Sequence, residues 1–163
     1  MKLCVITRFK NERHILYEFI NHYLMEDVDC LILIDDNSDD NYLKLNSSWL
    51  NELIESKKVI IIKAKGKPID DYNNNMKKIK EFDWVIICDM DEFFFSVKKN
   101  STLKSTIKKL SKKYDFIKVP WKVFTHKCYY QPKSVINDNL YTYSNKLDPF
   151  VPSKGYKSIA RTK

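Results

Sequence analysis

Glycine is scarce in this sequence: among 163 residues only Gly66 and Gly155 occur. A glycine-rich phosphate cradle of the P-loop or dinucleotide-binding kind needs several glycines at fixed offsets, so both are excluded and any phosphate must be held another way. Long apolar runs are missing as well. No stretch approaches the roughly 18–20 apolar residues that span a bilayer, and the apolar run in the opening Met1-Lys2-Leu3-Cys4-Val5-Ile6-Thr7 is too short for a secretory signal. The four cysteines, Cys4, Cys30, Cys88 and Cys128, are widely spaced and form neither a zinc-ligand pattern nor a disulfide framework. The first three lie in apolar runs and read as small buried hydrophobes. These absences predict a protein without a transmembrane segment, cytoplasmic and in a reducing compartment.

What is present suffices for one core. The length fits a single domain spanning 1–163, and 44% hydrophobic with 13% aromatic residues is far from a disordered composition. A formal charge of +8 suits polyanionic partners in general. Many of the lysines, however, fall between Lys98 and Lys118, where Leu103, Ile107 and Leu110 recur at helical spacing with Lys104, Lys108, Lys109, Lys112 and Lys113 around them. That is an amphipathic helix with a solvated face. With no finger, zipper or RNP-like motif, no specific nucleic-acid partner is expected.

Short β-branched runs alternate with amphipathic stretches, the pattern of βαβ units, so the expected class is α/β with a mixed, mainly parallel sheet flanked by helices. Strands are predicted at Leu3 to Thr7, Leu31 to Ile34, Val59 to Ile62, Trp84 to Cys88 and Phe116 to Val119. Helices are predicted over Glu12 to Met25, around Trp49-Leu50 and Leu53-Ile54, over Asp71 to Lys80, and after the capping pair Ser101-Thr102. From Lys122 onward the periodicity fades, and Pro132, Pro149 and Pro152 break the tail into short pieces.

In an open α/β sheet, ligands collect beyond the carboxyl ends of the strands. Three polar clusters fall there: Thr7-Arg8-Phe9-Lys10-Asn11-Glu12, Asp35 to Asp40, and Asp89-Met90-Asp91-Glu92. Turn and cap duty accounts for the second cluster taken alone. The third is harder to explain by solvation, because two carboxylates directly after a buried strand repel one another unless a cation lies between them. Mg²⁺ or Mn²⁺ held there by Asp89 and Asp91 could accept pyrophosphate oxygens and stabilise a departing nucleoside diphosphate.

The order and spacing of these clusters add a resemblance. Val5 to Glu12 resembles the opening strand and Asn-Glu turn of GT-A glycosyltransferases of the family 2 and family 92 type. Ile34-Asp35-Asp36-Asn37-Ser38-Asp39-Asp40 is similar to their second-strand acidic turn, and Asp83 to Phe93 looks like the strand carrying their DxD motif. The resemblance covers roughly residues 1–125, with Trp121-Lys122-Val123-Phe124 as a weaker fourth match. It implies a nucleotide-sugar-binding part over 1–95 and an acceptor side over 96–163. It also implies metal-dependent, inverting transfer from a nucleoside diphosphate sugar, with the UDP series favoured, to a glycan or other hydroxyl acceptor.

Carried over by position, Asp36 matches the residue that bonds the uracil edge, and Arg8 and Lys10 match positions lining the base pocket. Asp91 matches the metal ligand, and Asp89 the acid that contacts the ribose or the metal shell. Asn75 and Lys78 lie on the helix that approaches the donor. The base in these families follows the DxD strand, where Asp148 and Asp138 are the candidates and Glu92 is a fallback. Two departures stand out. Thr125-His126-Lys127 replace the small residues expected after Trp-x-x-Phe, and the histidine that completes the metal shell is unassigned, with His126 as one candidate. The chain accordingly reads as a truncated domain or a reduced member. Rival readings are a nucleotidyltransferase of similar fold, a hydrolase using Asp91 and Glu92, and a non-catalytic nucleotide-sugar-binding module.

Overall fold

A computed structural model describes residues 1–44, 47–120, 124–125, 134–135, 141–142 and 156–162. The chain opens with strand β1 (Leu3–Phe9), helix α1 (Arg13–Met25) and strand β2 (Cys30–Asp35). A 3₁₀ turn (Tyr42–Lys44) leads to α2 (Ser47–Glu55) and β3 (Val59–Lys63), then α3 (Pro68–Asn74), α4 (Met76–Ile79) and β4 (Trp84–Ile87). After α5 (Leu103–Leu110) come β5 (Phe116–Pro120), the short β6 (Phe124–Thr125) and β7 (Tyr141–Thr142), and finally β8 (Tyr156–Arg161). The main sheet has the order β3-β2-β1-β4-β8-β5, while β6 and β7 pair separately. The first four strands are parallel and β8 runs antiparallel to both β4 and β5. The sheet is therefore mainly parallel and mixed, as the alternation of elements predicts.

Both faces of the sheet's central strands are covered, which is why they read as nearly continuous apolar runs. Leu3 and Val5 of β1 point to one face and Cys4 and Ile6 to the other. On the first face Ile15, Leu16, Phe19, Ile20 and Tyr23 of α1 pack with Leu50 of α2 and with Leu103 and Ile107 of α5. The opposite face is smaller. There Cys4, Ile6, Cys30, Ile32, Ile34 and Val85 meet Ile79 of α4, with Tyr72 and Phe82 packed against them. Each such fully buried aliphatic side chain contributes about 1.5–3 kcal/mol. Cys4, Cys30 and Cys88 are free and buried as expected; Cys128 lies outside the described residues. Among the described residues no helix is long and apolar enough to cross a membrane.

With glycine scarce, asparagine supplies much of the left-handed backbone. Asn11, Asn37, Asn41 and Asn100 have φ between 55° and 57°, a conformation that asparagine tolerates better than most residues. Three of these four lie in the loops after β1 and β2, at the edge where the polar clusters converge. The predicted lysine-rich helix is present, and Thr102 caps it by accepting the Ser105 amide at 3.2 Å.

Three expectations are corrected. The helix predicted over Asp71 to Lys80 begins earlier, at Pro68, and breaks at Asn75, whose side-chain amide donates to the Asp71 carbonyl at 2.8 Å and competes with the backbone ladder. The strand predicted to reach Cys88 stops at Ile87, and the residues from Asp89 form a turn in which the Glu92 amide donates to the Asp89 carbonyl at 3.1 Å. The tail is not only short pieces: β8 sits inside the sheet, between β4 and β5. Only Ile159 of its six residues is buried, which leaves too little periodicity to signal a strand.

Candidate functional site

β2, β1 and β4 are neighbours in the sheet and parallel, so their carboxyl ends deliver Asp36, Arg8 and the turn from Asp89 to Glu92 to one edge. The loops after β1 and β2 are tied together there. The Asn11 amide donates to Ser38 Oγ at 3.0 Å, the Asp39 amide to Asn11 Oδ1 at 2.9 Å, and the Arg13 amide to Asp40 Oδ2 at 2.8 Å. That last bond satisfies one of the orphan donors at the start of α1. Asp35, fully buried, accepts from the Ser38 amide (2.8 Å) and the Tyr42 hydroxyl (2.9 Å) and is ion-paired with Lys63. Burial opposes its ionisation, but Lys63 and the bonds from Ser38 and Tyr42 outweigh it and hold the carboxyl below its ordinary range. Asp35 and Asp40 are thus structural acids, and cap duty accounts for part of the second cluster.

Asp36 is differently placed. It is partly exposed, and its Oδ2 pairs with Arg8 Nη2 at 2.9 Å. Arg8 Nη1 in turn donates to Asp71 Oδ2 (2.8 Å) and to the Gly66 carbonyl (2.9 Å). The Asp71 side chain is only 4% exposed, and its second oxygen accepts the Lys65 amide at 2.8 Å. Arg8 thereby joins β1, the end of β2 and the loop into α3. Asp71 was not singled out by sequence reasoning, where it looks like an ordinary helix-start acid. Lys10 is exposed and ion-pairs with no described residue. Lys78 is exposed on α4, and Asn75 sits at the α3–α4 break rather than on a continuous helix.

The acidic turn is anchored from below. Met90 is buried, while the Tyr23 hydroxyl of α1 donates to the Glu92 carbonyl (2.8 Å) and accepts the Phe94 amide (3.2 Å). His22 Nε2 meets the Phe94 carbonyl at 2.7 Å, and Phe93 packs edge-on against His22 and Phe19. Above this base the carboxylates face outward. Asp89 is 68% exposed, Asp91 is exposed, and Glu92, at 21%, accepts the Asp89 amide at 3.0 Å. Lys157, at the start of β8, bridges Asp89 Oδ2 (3.1 Å) and Glu92 Oε2 (3.0 Å). The turn therefore carries a cation from the chain itself, which sequence reasoning missed. No local pattern around Lys157 signalled it, because the contact spans 68 positions.

Glu12 and Tyr72 close the surround. Burial raises the Glu12 carboxyl, opposed by His14 and reinforced by Asp91 and Asp40, so Glu12 belongs to the same field. Burial and then Asp89 push the Tyr72 hydroxyl up, which brings α3 within electrostatic reach of the turn. Among the described residues no three His, Cys, Asp or Glu side chains cluster tightly enough to hold a metal alone. Two outward carboxylates do suit Mg²⁺ or Mn²⁺ carried in by a diphosphate, since such ions commonly take one or two protein carboxylates and fill the remainder with phosphate oxygens and water. Asp138, Asp148 and His126 lie outside the described residues.

No protein-family model and no curated protein matches the sequence. Solved structures do match the fold. S. aureus TarS 1-349 in complex with UDP superposes with a TM-score of 0.52 at 18% identity, over 71% of this chain and 34% of that one. A putative glucose-1-phosphate thymidylyltransferase from Bacillus anthracis, in complex with a sucrose, gives 0.54 at 10% identity, over 99% of this chain and 72% of that one. The mannosyltransferase PcManGT from Pyrobaculum calidifontis, in complex with GDP-Man and Mn²⁺, scores 0.47 at 18% identity, over 58% and 29%. This chain spans about a third of the length of the TarS 1-349 structures it matches. At these identities the likeness is one of fold, and the fold is GT-A-like.

Proposed function

We propose that this chain is a glycosyltransferase domain, its residues 1–95 binding a nucleoside diphosphate sugar and 96–163 facing the acceptor. The observation that carries the reading is the convergence, on neighbouring strands of a GT-A-like sheet, of Asp36 with Arg8 and of a rigidly anchored acidic turn with two outward carboxylates. Asp36 keeps one carboxylate oxygen beyond its Arg8 pair with which to accept a uracil N3–H, which favours UDP-sugars. Lys10, Asn75 and Lys78 are proposed to line the rest of the donor pocket.

Asp89 and Asp91 would hold Mg²⁺ or Mn²⁺. Bound there, the ion supplies Lewis-acid stabilisation to the departing diphosphate. Inverting transfer to a hydroxyl needs one base on the acceptor side of the sugar, and Asp148, with Asp138 second, is proposed for that role. Glu92 is a weaker choice, because Lys157 and the Asp89 amide already engage its carboxylate. Nucleotidyl transfer is the alternative reading, favoured by the near-complete overlap with the putative thymidylyltransferase. The glycine-free connection Lys10-Asn11-Glu12 between β1 and α1 argues against it, since such enzymes favour a glycine-rich phosphate loop there.

Thermal denaturation across a panel of nucleotide-sugars, with and without Mn²⁺, tests the proposal, because a ligand that binds only the native state raises its stability by mass action. A metal-dependent rise in Tm with one UDP-sugar, together with release of UDP when acceptor is added, is the expected result. No stabilisation by any nucleotide-sugar would overturn it. Pyrophosphate release from a nucleoside triphosphate and a sugar phosphate would favour the alternative, and binding without turnover a non-catalytic module.

A further inference from the structure

Lys157 reaches the acidic turn because β8 is the antiparallel strand of the sheet. Running against β4, it brings its first residues to the edge where β4 ends: Ile159 pairs with Ile86, and Lys157 lies two residues further toward Asp89. Pairing with Val119 of β5 fixes its backbone from the other side. The ammonium is thus held by a strand inside the sheet and not by a loop, with its side chain only 25% exposed. Among the described residues no other lysine or arginine is ion-paired to the turn.

Lys157 engages only Oδ2 of Asp89, but its charge at 3.1 Å repels a divalent ion brought to the same carboxylate, so Lys157 and a metal compete electrostatically for Asp89. Charge counting shows when the metal wins. Asp89, Asp91 and Glu92 with Lys157 carry −3 + 1 = −2, and a divalent ion alone brings the group to zero while crowding two cations together. A diphosphate arriving with the ion relieves that crowding, because it offers anionic oxygens to both cations. Resting on the donor-site reading above, we infer that Lys157 is the resident cation of that site. It neutralises Asp89 and Glu92 while metal is absent, yields Asp89 when metal and nucleotide diphosphate arrive together, and then contacts the diphosphate. Metal and donor binding are thereby coupled, and the coupling is reciprocal.

The test compares the parent with Lys157→Met, which keeps the aliphatic stem but removes the charge, and with Lys157→Arg. Mn²⁺ binding is read from the electron paramagnetic resonance signal of the free ion, with and without UDP. The parent should bind Mn²⁺ weakly alone and more tightly with UDP. Lys157→Met should bind Mn²⁺ alone about two- to fivefold tighter, the range of an exposed ion pair, while losing most of the UDP enhancement. Lys157→Arg should restore the parental order. Unchanged Mn²⁺ affinity in a cooperatively melting Lys157→Met overturns the inference, as does a UDP enhancement equal to the parent's. Should that variant fail to fold, Lys157→Gln is read in the same way. A parent that binds Mn²⁺ but no nucleotide contradicts the donor-site reading, and the Mn²⁺-only comparison then decides whether Lys157 competes for Asp89. Absence of Mn²⁺ binding in parent and variant alike overturns the inference.

Discussion

The Arg8 guanidinium and the Asp71 carboxylate lie 2.8 Å apart although 63 positions separate them in sequence, and Asp71 is almost wholly buried. Removing one partner of a buried ion pair leaves the other uncompensated, at about 3–5 kcal/mol. Asp71→Ala should fall at the lower end of that range, because Arg8 keeps Asp36. Urea denaturation measures the loss; a change below about 1 kcal/mol, the worth of an exposed pair, would show that the pair acts as a surface contact.

Asp36→Asn should weaken UDP binding by about 1.5–3 kcal/mol, the range for a hydrogen bond to a charged group, and should narrow the preference for UDP over CDP. Calorimetry with both nucleotides reads the difference. Equal UDP affinity in parent and variant would remove Asp36 from the base pocket.

Asp91→Asn keeps side-chain volume but gives up a charge, so Mn²⁺-dependent stabilisation by a UDP-sugar should disappear while the fold survives. Asp89→Asn should do the same and also weaken the hold on Lys157. Differential scanning fluorimetry with donor, with and without Mn²⁺, distinguishes these outcomes from general unfolding. Undiminished metal-dependent stabilisation in both variants would discard the acidic turn as a metal site.

Tyr23→Phe removes only the hydroxyl that holds the Glu92 carbonyl and the Phe94 amide beneath the turn. Leaving those buried groups unpaired should cost about 1–3 kcal/mol. Metal-dependent donor affinity should fall too, although Tyr23 is fully buried and cannot touch the ligand. Chemical denaturation and donor titration on one preparation check both effects; a destabilised variant with parental affinity would show that the turn does not need its anchor.

The depressed Asp35 carboxyl sets the sign of an acid response. A carboxyl whose folded pKa lies below its unfolded value contributes stability that is fully present above the ordinary carboxyl range and is lost as pH falls through the folded value. Stability should therefore decline on acidification below about pH 4, near the unperturbed Asp pKa, and Asp35→Asn should flatten that part of the profile. Urea midpoints between pH 7 and pH 3 test this; a variant as acid-sensitive as the parent assigns the loss to other carboxyls.

The strands of the parallel half were legible because burial on both faces leaves continuous apolar runs such as Leu31 to Ile34 unmistakable. Asp36, Arg8, Asp89 and Asp91 were legible as positions, since the end of a buried strand is a readable address. Their partners were not. Asp71 meets Arg8 across 63 positions and Lys157 meets Asp89 across 68, relationships that no local window contains. β8 was hidden for a related reason: its six residues bury one side chain, and its identity as a strand comes from pairing with β4 and β5.

The place of β8 between β4 and β5 also has a kinetic consequence. β5 has no partner in the main sheet other than β8, so it cannot dock until residues 156–161 have been made and have threaded into register. The parallel half, β1 to β4, can pair once the chain has been made as far as Ile87, whereas the pairings of β8 with β4 and β5 wait for the last strand. Maturation of the Asp89 pocket should accordingly lag behind pairing of β1, β2 and β3, giving a refolding intermediate whose amides in those strands are protected from exchange while its affinity for Mn²⁺ with UDP is still incomplete.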